Sequence, residues 1–183
     1  VSPSMNVGNN YQWFDQTGEI AGETDTMLVF NPTQLTDQGL YYCRIITICG
    51  DTLFSNPDSI IVHPLPVVDF SYTGVCRLDT TFFTNLSTVT DGTISYQWMF
   101  GDGNTSTNMN PNHIYLVADT FSVVLTATTS WGCTQSSGQQ LIIHDLPQAT
   151  ISTIGDSCNS SGKGSIIVTP TFGTYPFTYN LSG

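Results

Sequence analysis

The residues whose types and spacing could support chemistry gather in Tyr96-Gln97-Trp98-Met99-Phe100-Gly101-Asp102-Gly103. Asp102 stands between two glycines, with Asn104 beside it and Asn85 upstream. Carboxylate and amide oxygens of this kind suit a hard divalent cation, calcium before others. They also suit a turn in which the Asp side chain accepts hydrogen bonds from nearby backbone. The chain lacks a D-x-D-x-D-G loop, so the composition favours the turn, and no metal or other cofactor is assigned. His63, His113 and His144 are separate along the chain, and none falls in a nucleophile–base or zinc-protease pattern. Glu19, Glu23 and Asp25 read as a solvated loop rather than an acid–base pair. The expectation is a protein that is not an enzyme.

Strands must position these residues. Tyr96, Trp98 and Phe100 alternate, so they point to one face of a strand. Gly101 and Gly103 supply a tight turn after it. Asp119-Thr120-Phe121-Ser122-Val123-Val124-Leu125 supplies a second alternating, β-branched strand to pack opposite. Trp98 and Phe100 are then core, and so is Trp13 in Tyr11-Gln12-Trp13-Phe14.

Composition fits an all-β protein. Hydrophobic residues make up 39%, aromatic residues 11% and charged residues only 9%. That profile is poor in helix formers and rich in strand and turn formers. The net charge of −11, with three Lys plus Arg, opposes binding to nucleic acid or anionic lipid. No apolar run is long enough to insert in a membrane as a helix. The chain opens at Val1 without Met and stops at Gly183 in mid-pattern, which reads as an interior piece of something longer.

An internal repeat divides the chain. Tyr11-Gln12-Trp13 returns as Tyr96-Gln97-Trp98, and Ile60-Ile61-Val62-His63-Pro64-Leu65-Pro66 returns as Leu141-Ile142-Ile143-His144-Asp145-Leu146-Pro147. Both shifts are roughly 80 residues, the size of one small β unit. Pro64-Leu65-Pro66 should be a short, extended, stiff joint. The predicted architecture is tandem β-sandwich domains plus a partial β repeat, strung as beads: residues 1–65, 66–146 and 147–183.

Each bead resembles a known family. Trp98-Met99-Phe100-Gly101-Asp102-Gly103, Asn110-Pro111-Asn112-His113-Ile114-Tyr115 and Asp119-Thr120-Phe121-Ser122-Val123 resemble the PKD (polycystic kidney disease) domain. Asp37-Gln38-Gly39-Leu40-Tyr41-Tyr42-Cys43 resembles strand F of an immunoglobulin-like sandwich, with Tyr41 at the tyrosine-corner position. In that comparison residues 11–14 are strand C, residues 26–30 are strand E, and the first strands are missing. Cys158-Asn159-Ser160-Ser161-Gly162 with Gly173-Thr174-Tyr175-Pro176-Phe177-Thr178-Tyr179 resembles the SprB-type repeat of bacterial gliding adhesins.

The resemblances carry further expectations. PKD-like domains of Bacteroidetes surface proteins imply a disulfide between Cys76 and Cys133, which would contribute ~4 kcal/mol by closing a long loop. Trp131 would then cover that bridge or offer an aromatic face to a sugar or protein partner. Some PKD-like domains of secreted enzymes bind calcium, which keeps Asp102, Asn104 and Asn85 as a candidate set. Thr26, Thr52, Ser59 and Thr80 each follow an Asp in the acceptor pattern of Bacteroidetes O-glycosylation. His113 matches a family position read as structural. The family context implies an extracellular, cell-surface adhesin or gliding-type stalk exported by type IX secretion. Its partners would be a surface polysaccharide or protein ligand, or neighbouring units of the same assembly. Two alternatives are an accessory substrate-binding region of a secreted polysaccharide- or protein-degrading hydrolase and a subunit of an extracellular filament.

Overall fold

The computed structural model describes residues 8–155, 165–173 and 177–179. The chain divides into two compact units, Val1–Pro64 and Leu65–Gly183. The described residues are all strand, turn and loop, apart from one 3₁₀ turn at Leu35–Asp37.

The first unit is one antiparallel sheet. Its strands are β1 (Asn10–Asp15), β2 (Gly18–Glu19), β3 (Gly39–Ile46), β4 (Thr52–Phe54) and β5 (Asp58–Ile60). They lie in the order β2-β1-β3-β4, and β5 continues the β4 edge along β3. Ser55 fills the break between β4 and β5 by bonding to both backbone groups of Cys43. Tyr41 forms the tyrosine corner, its hydroxyl donating to the Asp37 carbonyl at 2.8 Å. One sequence expectation fails in this unit: residues 26–30 are not a strand. The described strands of the unit lie in a single sheet. Trp13 is only half-buried, and the buried residues among those described in the unit are Gln12 and Cys43. The segment that should have paired as strand E crosses the sheet as loop. Trp13 Nε1 donates to the Asp25 carbonyl within it, and Phe30 meets Tyr41 edge-on. A cleft of about 260 Å³ stays open between Trp13, Leu28, Phe30, Tyr41 and Ile60.

The second unit opens with a closed sandwich. One sheet holds β6 (Phe70–Thr73), β7 (Thr80–Asn85) and β10 (Asn112–Ile114), in the order β10-β7-β6. The other holds β8 (Ile94–Met99), β9 (Thr105–Ser106), β11 (Thr120–Thr129) and β12 (Thr134–Ile142), in the order β12-β11-β8-β9. Alternation decides what each face does. Trp98, Phe100, Phe121, Val123, Leu125 and Leu141 point inward and meet Phe70 and Phe83 of the facing sheet. Phe70 and Phe83 pack against the Trp98 ring with centroids 5.1 and 5.5 Å away. Fully burying one such side chain stabilises by about 2–3 kcal/mol. The Trp98 indole N–H is satisfied by the Asn108 carbonyl at 3.0 Å.

The sandwich closes through a parallel contact. Gly74, at φ +80°, turns the chain out of β6 and against the end of β12. Cys76 and His144 then bridge in parallel. His144 N–H donates to Val75 O and Arg77 N–H to His144 O, both at 2.8 Å. Arg77 Nε lies 2.6 Å from Asp145 Oδ1.

Beyond the sandwich, β13 (Gln148–Ile154) and β14 (Ser165–Phe172) pair antiparallel as a two-stranded ribbon. β14 runs through Pro170 to Phe172. Cys158 and its turn lie outside the described residues, as do residues 174–176.

The two glycines of the signature turn differ. A Cβ on Gly101 would sit 2.8 Å from the Ser122 carbonyl oxygen and 2.9 Å from its nitrogen, at φ +87°. Gly103, at φ +94°, has open space around it. Gly101→Ala should cost about 2–4 kcal/mol and Gly103→Ala only about 1 kcal/mol, read from urea midpoints. Equal losses would show that the close approach to β11 is unimportant.

Candidate functional site

The site is the turn after β8 and the face of β10 that meets it. Phe100 ends the inward stripe, and its N–H donates to the Asn104 carbonyl at 3.1 Å. Asp102 is thereby held over the sheet edge. Its Oδ1 accepts the Asn104 N–H and its Oδ2 accepts the Asn104 amide, each at 3.0 Å. Oδ2 also accepts a 2.6 Å hydrogen bond from His113 Nε2. The imidazole lies flat on Phe100, with centroids 4.4 Å apart and planes 3° apart, and meets Tyr115 edge-on at 4.7 Å. Tyr115 is fully buried and donates its hydroxyl to the Phe100 carbonyl at 3.0 Å.

The electrostatics fit a fastening. Burial pushes the Asp102 carboxyl upward, but hydrogen bonds from His113 and Asn104 outweigh it, and the net shift is below the usual carboxylate value of 3.8. Burial, with the Asp102 charge nearby, raises the Tyr115 hydroxyl well above its ordinary range. A phenol so held is a neutral donor to backbone rather than a proton-transfer group. His113 and Asp102 are each mostly buried, and their polar atoms face one another.

The calcium set is not brought together. Asn85 sits at the far end of β7, where its N–H donates to Asn110 Oδ1 and its own Oδ1 accepts the Ser87 N–H. Opposite His113 stands Thr81, four residues back along β7, or roughly 13 Å. Asp102 and Asn104 are spent on each other and on His113. Among the described residues no group of three His, Cys, Asp or Glu side chains could hold a metal ion.

The Cys76–Cys133 disulfide is also corrected. Cys76 lies beside His144, past the C-terminal end of β12, and Cys133 lies in the turn just before β12 begins. The two are separated by the length of that strand, roughly 35 Å, against the 7 Å limit for a disulfide. Trp131 therefore covers no such bridge. It stands 56% exposed in the same turn, its indole nitrogen against Gly92. The candidate acceptors share a local form: the preceding Asp Oδ1 accepts the backbone N–H of Thr26, Ser59 and Thr80 at 2.6, 2.8 and 2.7 Å. Thr52 is exposed at the start of β4.

Sequence reasoning missed the Asp102–His113 pair and the Arg77–Asp145 pair. The first had a signal, since Asp102 and His113 both fall in the motif segments. The second had only the scarcity of cations, Arg77 being one of three Lys plus Arg.

Residues 63–143 match the family model of the PKD domain, and that stretch is a PKD domain. Collagenase ColA of Bacillus cereus is 31% identical over 110 residues, spanning 58% of this chain and 12% of the collagenase. Two solved PKD1 domains are similar. That of Vibrio anguillarum Epp is 30% identical, covering 45% of this chain and 96% of that one, with a TM-score of 0.42. That of the Vibrio cholerae metalloprotease PrtV is 36% identical, covering 44% and 98%, with a TM-score of 0.41.

Because the native Asp102 value is depressed, its stabilisation is complete above the unfolded value of 3.8 and is lost as pH falls through the lower native value. At pH 7 Asp102→Asn should be less stable than wild type by about 1–2 kcal/mol. The gap should close as the pH drops below 4 in urea titrations. A gap that persists at pH 2 would exclude the ionised carboxylate as its source.

Proposed function

We propose that the chain is a non-catalytic, load-bearing and adhesive segment of a long secreted multidomain cell-surface protein, an adhesin or gliding-type stalk. The parallel closure of the PKD domain carries this reading. Pulling the domain from its two ends drags residues 75–77 and 143–145 in opposite directions along their own axes. Their backbone bonds and the Arg77–Asp145 pair then share the load instead of opening one by one. The signature residues support it too, since Asp102, His113 and Tyr115 are occupied in fastening the fold. The ribbon of β13 and β14 and the Asp-Ser/Thr acceptors fit a glycosylated surface stalk of the SprB-bearing, type IX-secreted kind. Trp131 is the side chain we assign to ligand contact, with a surface polysaccharide or a protein as its partner.

Pulled in a single-molecule instrument, the PKD domain should lengthen in one step of roughly 250 Å. Arg77→Ala should lower the mean unfolding force while leaving the chemical midpoint within about 1 kcal/mol. An unchanged force would remove the clamp from the argument.

A second reading is favoured by the collagenase relative: an accessory region beside the catalytic domain of a secreted hydrolase. It requires the segment to hold substrate. Under that reading the chain should co-sediment with fibrillar collagen or an insoluble polysaccharide, and Trp131→Ala should release it. Absence from every pellet would leave the stalk.

A further inference from the structure

The open edge of β12 is the one long strand edge that the PKD domain leaves unguarded among its described residues. β9 and β10 are two and three residues long, and β6 ends at the Gly74 turn. β12 runs nine residues without a charge, a proline or a register shift. Native edges are usually blunted by one of these devices.

The hydrogen-bond phase shows which groups are open. Thr129 N–H donates to Cys133 O, and Ile143 N–H to Asp119 O. Odd-numbered residues of β12 therefore bond inward to β11, and Thr134, Ser136, Gly138, Gln140 and Ile142 turn their backbone groups to the outer edge. Beyond Gly138 the edge is engaged at Gln140 O and at His144. The Tyr72 hydroxyl donates to Gln140 O at 3.2 Å, and Val75 and Arg77 take both groups of His144. Thr134, Ser136 and Gly138 remain, each offering one donor and one acceptor.

We propose that this edge pairs antiparallel with the same edge of a second copy of the chain, joining two four-stranded sheets into one of eight. The open stretch is centred on Ser136. A two-fold axis there sets Ser136 against its counterpart and Thr134 against Gly138, so the outward groups of these three residues pair. Gly138 fits this role. Its backbone is not in the left-handed region, and a Cβ would meet only ordinary contacts at 3.7 Å, so packing within the domain does not demand glycine. A glycine inside a strand often marks the close approach of another backbone. Charge agrees. The chain carries −11, yet β8, β9, β11 and β12 contain no charged residue, so two copies meet here without like charges opposed. Depletion of charge is the mark of an interface core. The inference is independent of whether the parent protein is a stalk or a hydrolase.

The test uses the full chain in sedimentation velocity across a concentration series. Wild type should dimerise. Ser136→Lys and Ser136→Asp place like charges directly opposite one another, and each should weaken dimerisation at least tenfold. Mixing the two variants should restore it, because the pair is then Lys against Asp. Ser136 is exposed and gives up only the 2.8 Å bond between its hydroxyl and Thr126 Oγ1, so both variants should fold as wild type does and melt only slightly lower. A wild type that stays monomeric to about 1 mM, variants that dimerise unchanged, or a mixture that fails to recover would each overturn the proposal.

Discussion

The bond between Asp102 and His113 ties the two sheets of the PKD domain where the chain crosses from one to the other. Asp102 follows β8 in the four-stranded sheet, and His113 lies on β10 in the three-stranded one. A short crossing segment would otherwise leave polar backbone over an aromatic core. Three of its groups are placed by the strands beneath: Trp98 donates to Asn108 O, Asn85 N–H to Asn110 Oδ1 and Phe83 N–H to Pro111 O. The His113 ring then completes the aromatic stack on Phe100. One side chain thus serves packing through its face and polarity through its edge, which is why a histidine suits the position better than a phenylalanine.

The first unit shows what the same local sequence does without a second sheet. Tyr-Gln-Trp occurs in both, and both indoles donate to a backbone carbonyl in the loop that follows, Asp25 for Trp13 and Asn108 for Trp98. The strands and their polar partners are alike. Burial is not, since Trp98 has Phe70 and Phe83 above it while Trp13 has only loop. A strand motif specifies a face, and the burial of that face depends on what the rest of the chain brings to it. The other face of the sheet is covered by its own residues: Phe14 stacks on Tyr42 at 5.1 Å, and Arg44 lies over the Phe14 ring.

This separates what the sequence makes legible from what it does not. Alternation at residues 96–100 and 121–129 reads directly as strands with an inward aromatic stripe, because side-chain direction follows from local period. The stretch at residues 80–85 is likewise a strand with those bounds. Residues 26–30 carry an apolar run, Met27 to Phe30, and form no strand, since a strand needs a partner as much as a pattern. Family analogy placed Cys76 and Cys133 together, and the β11–β12 hairpin holds them a full strand apart. The calcium set failed for a related reason: Asn85, Asp102 and Asn104 share a composition, but strand direction sends Asn85 to the other end of the domain. Contacts distant along the chain, such as Arg77 with Asp145, carry no period and leave no local mark.

The closure of the sandwich and its open edge are parts of one strand. At its C-terminal end β12 is engaged by Tyr72 and then by Val75 and Arg77, where tension on the chain ends would act. At its N-terminal end it presents three unpaired rungs and no charge. A clamp must be local, since each added rung would fix more of the first strand against β12 and leave less edge. The Gly74 turn sets this division, because it lets the chain leave β6 only far enough along to reach His144. Were the turn moved earlier in the chain, residues now in β6 would pair with Gly138 and Ser136, and the domain would hold tighter and offer nothing to a neighbour.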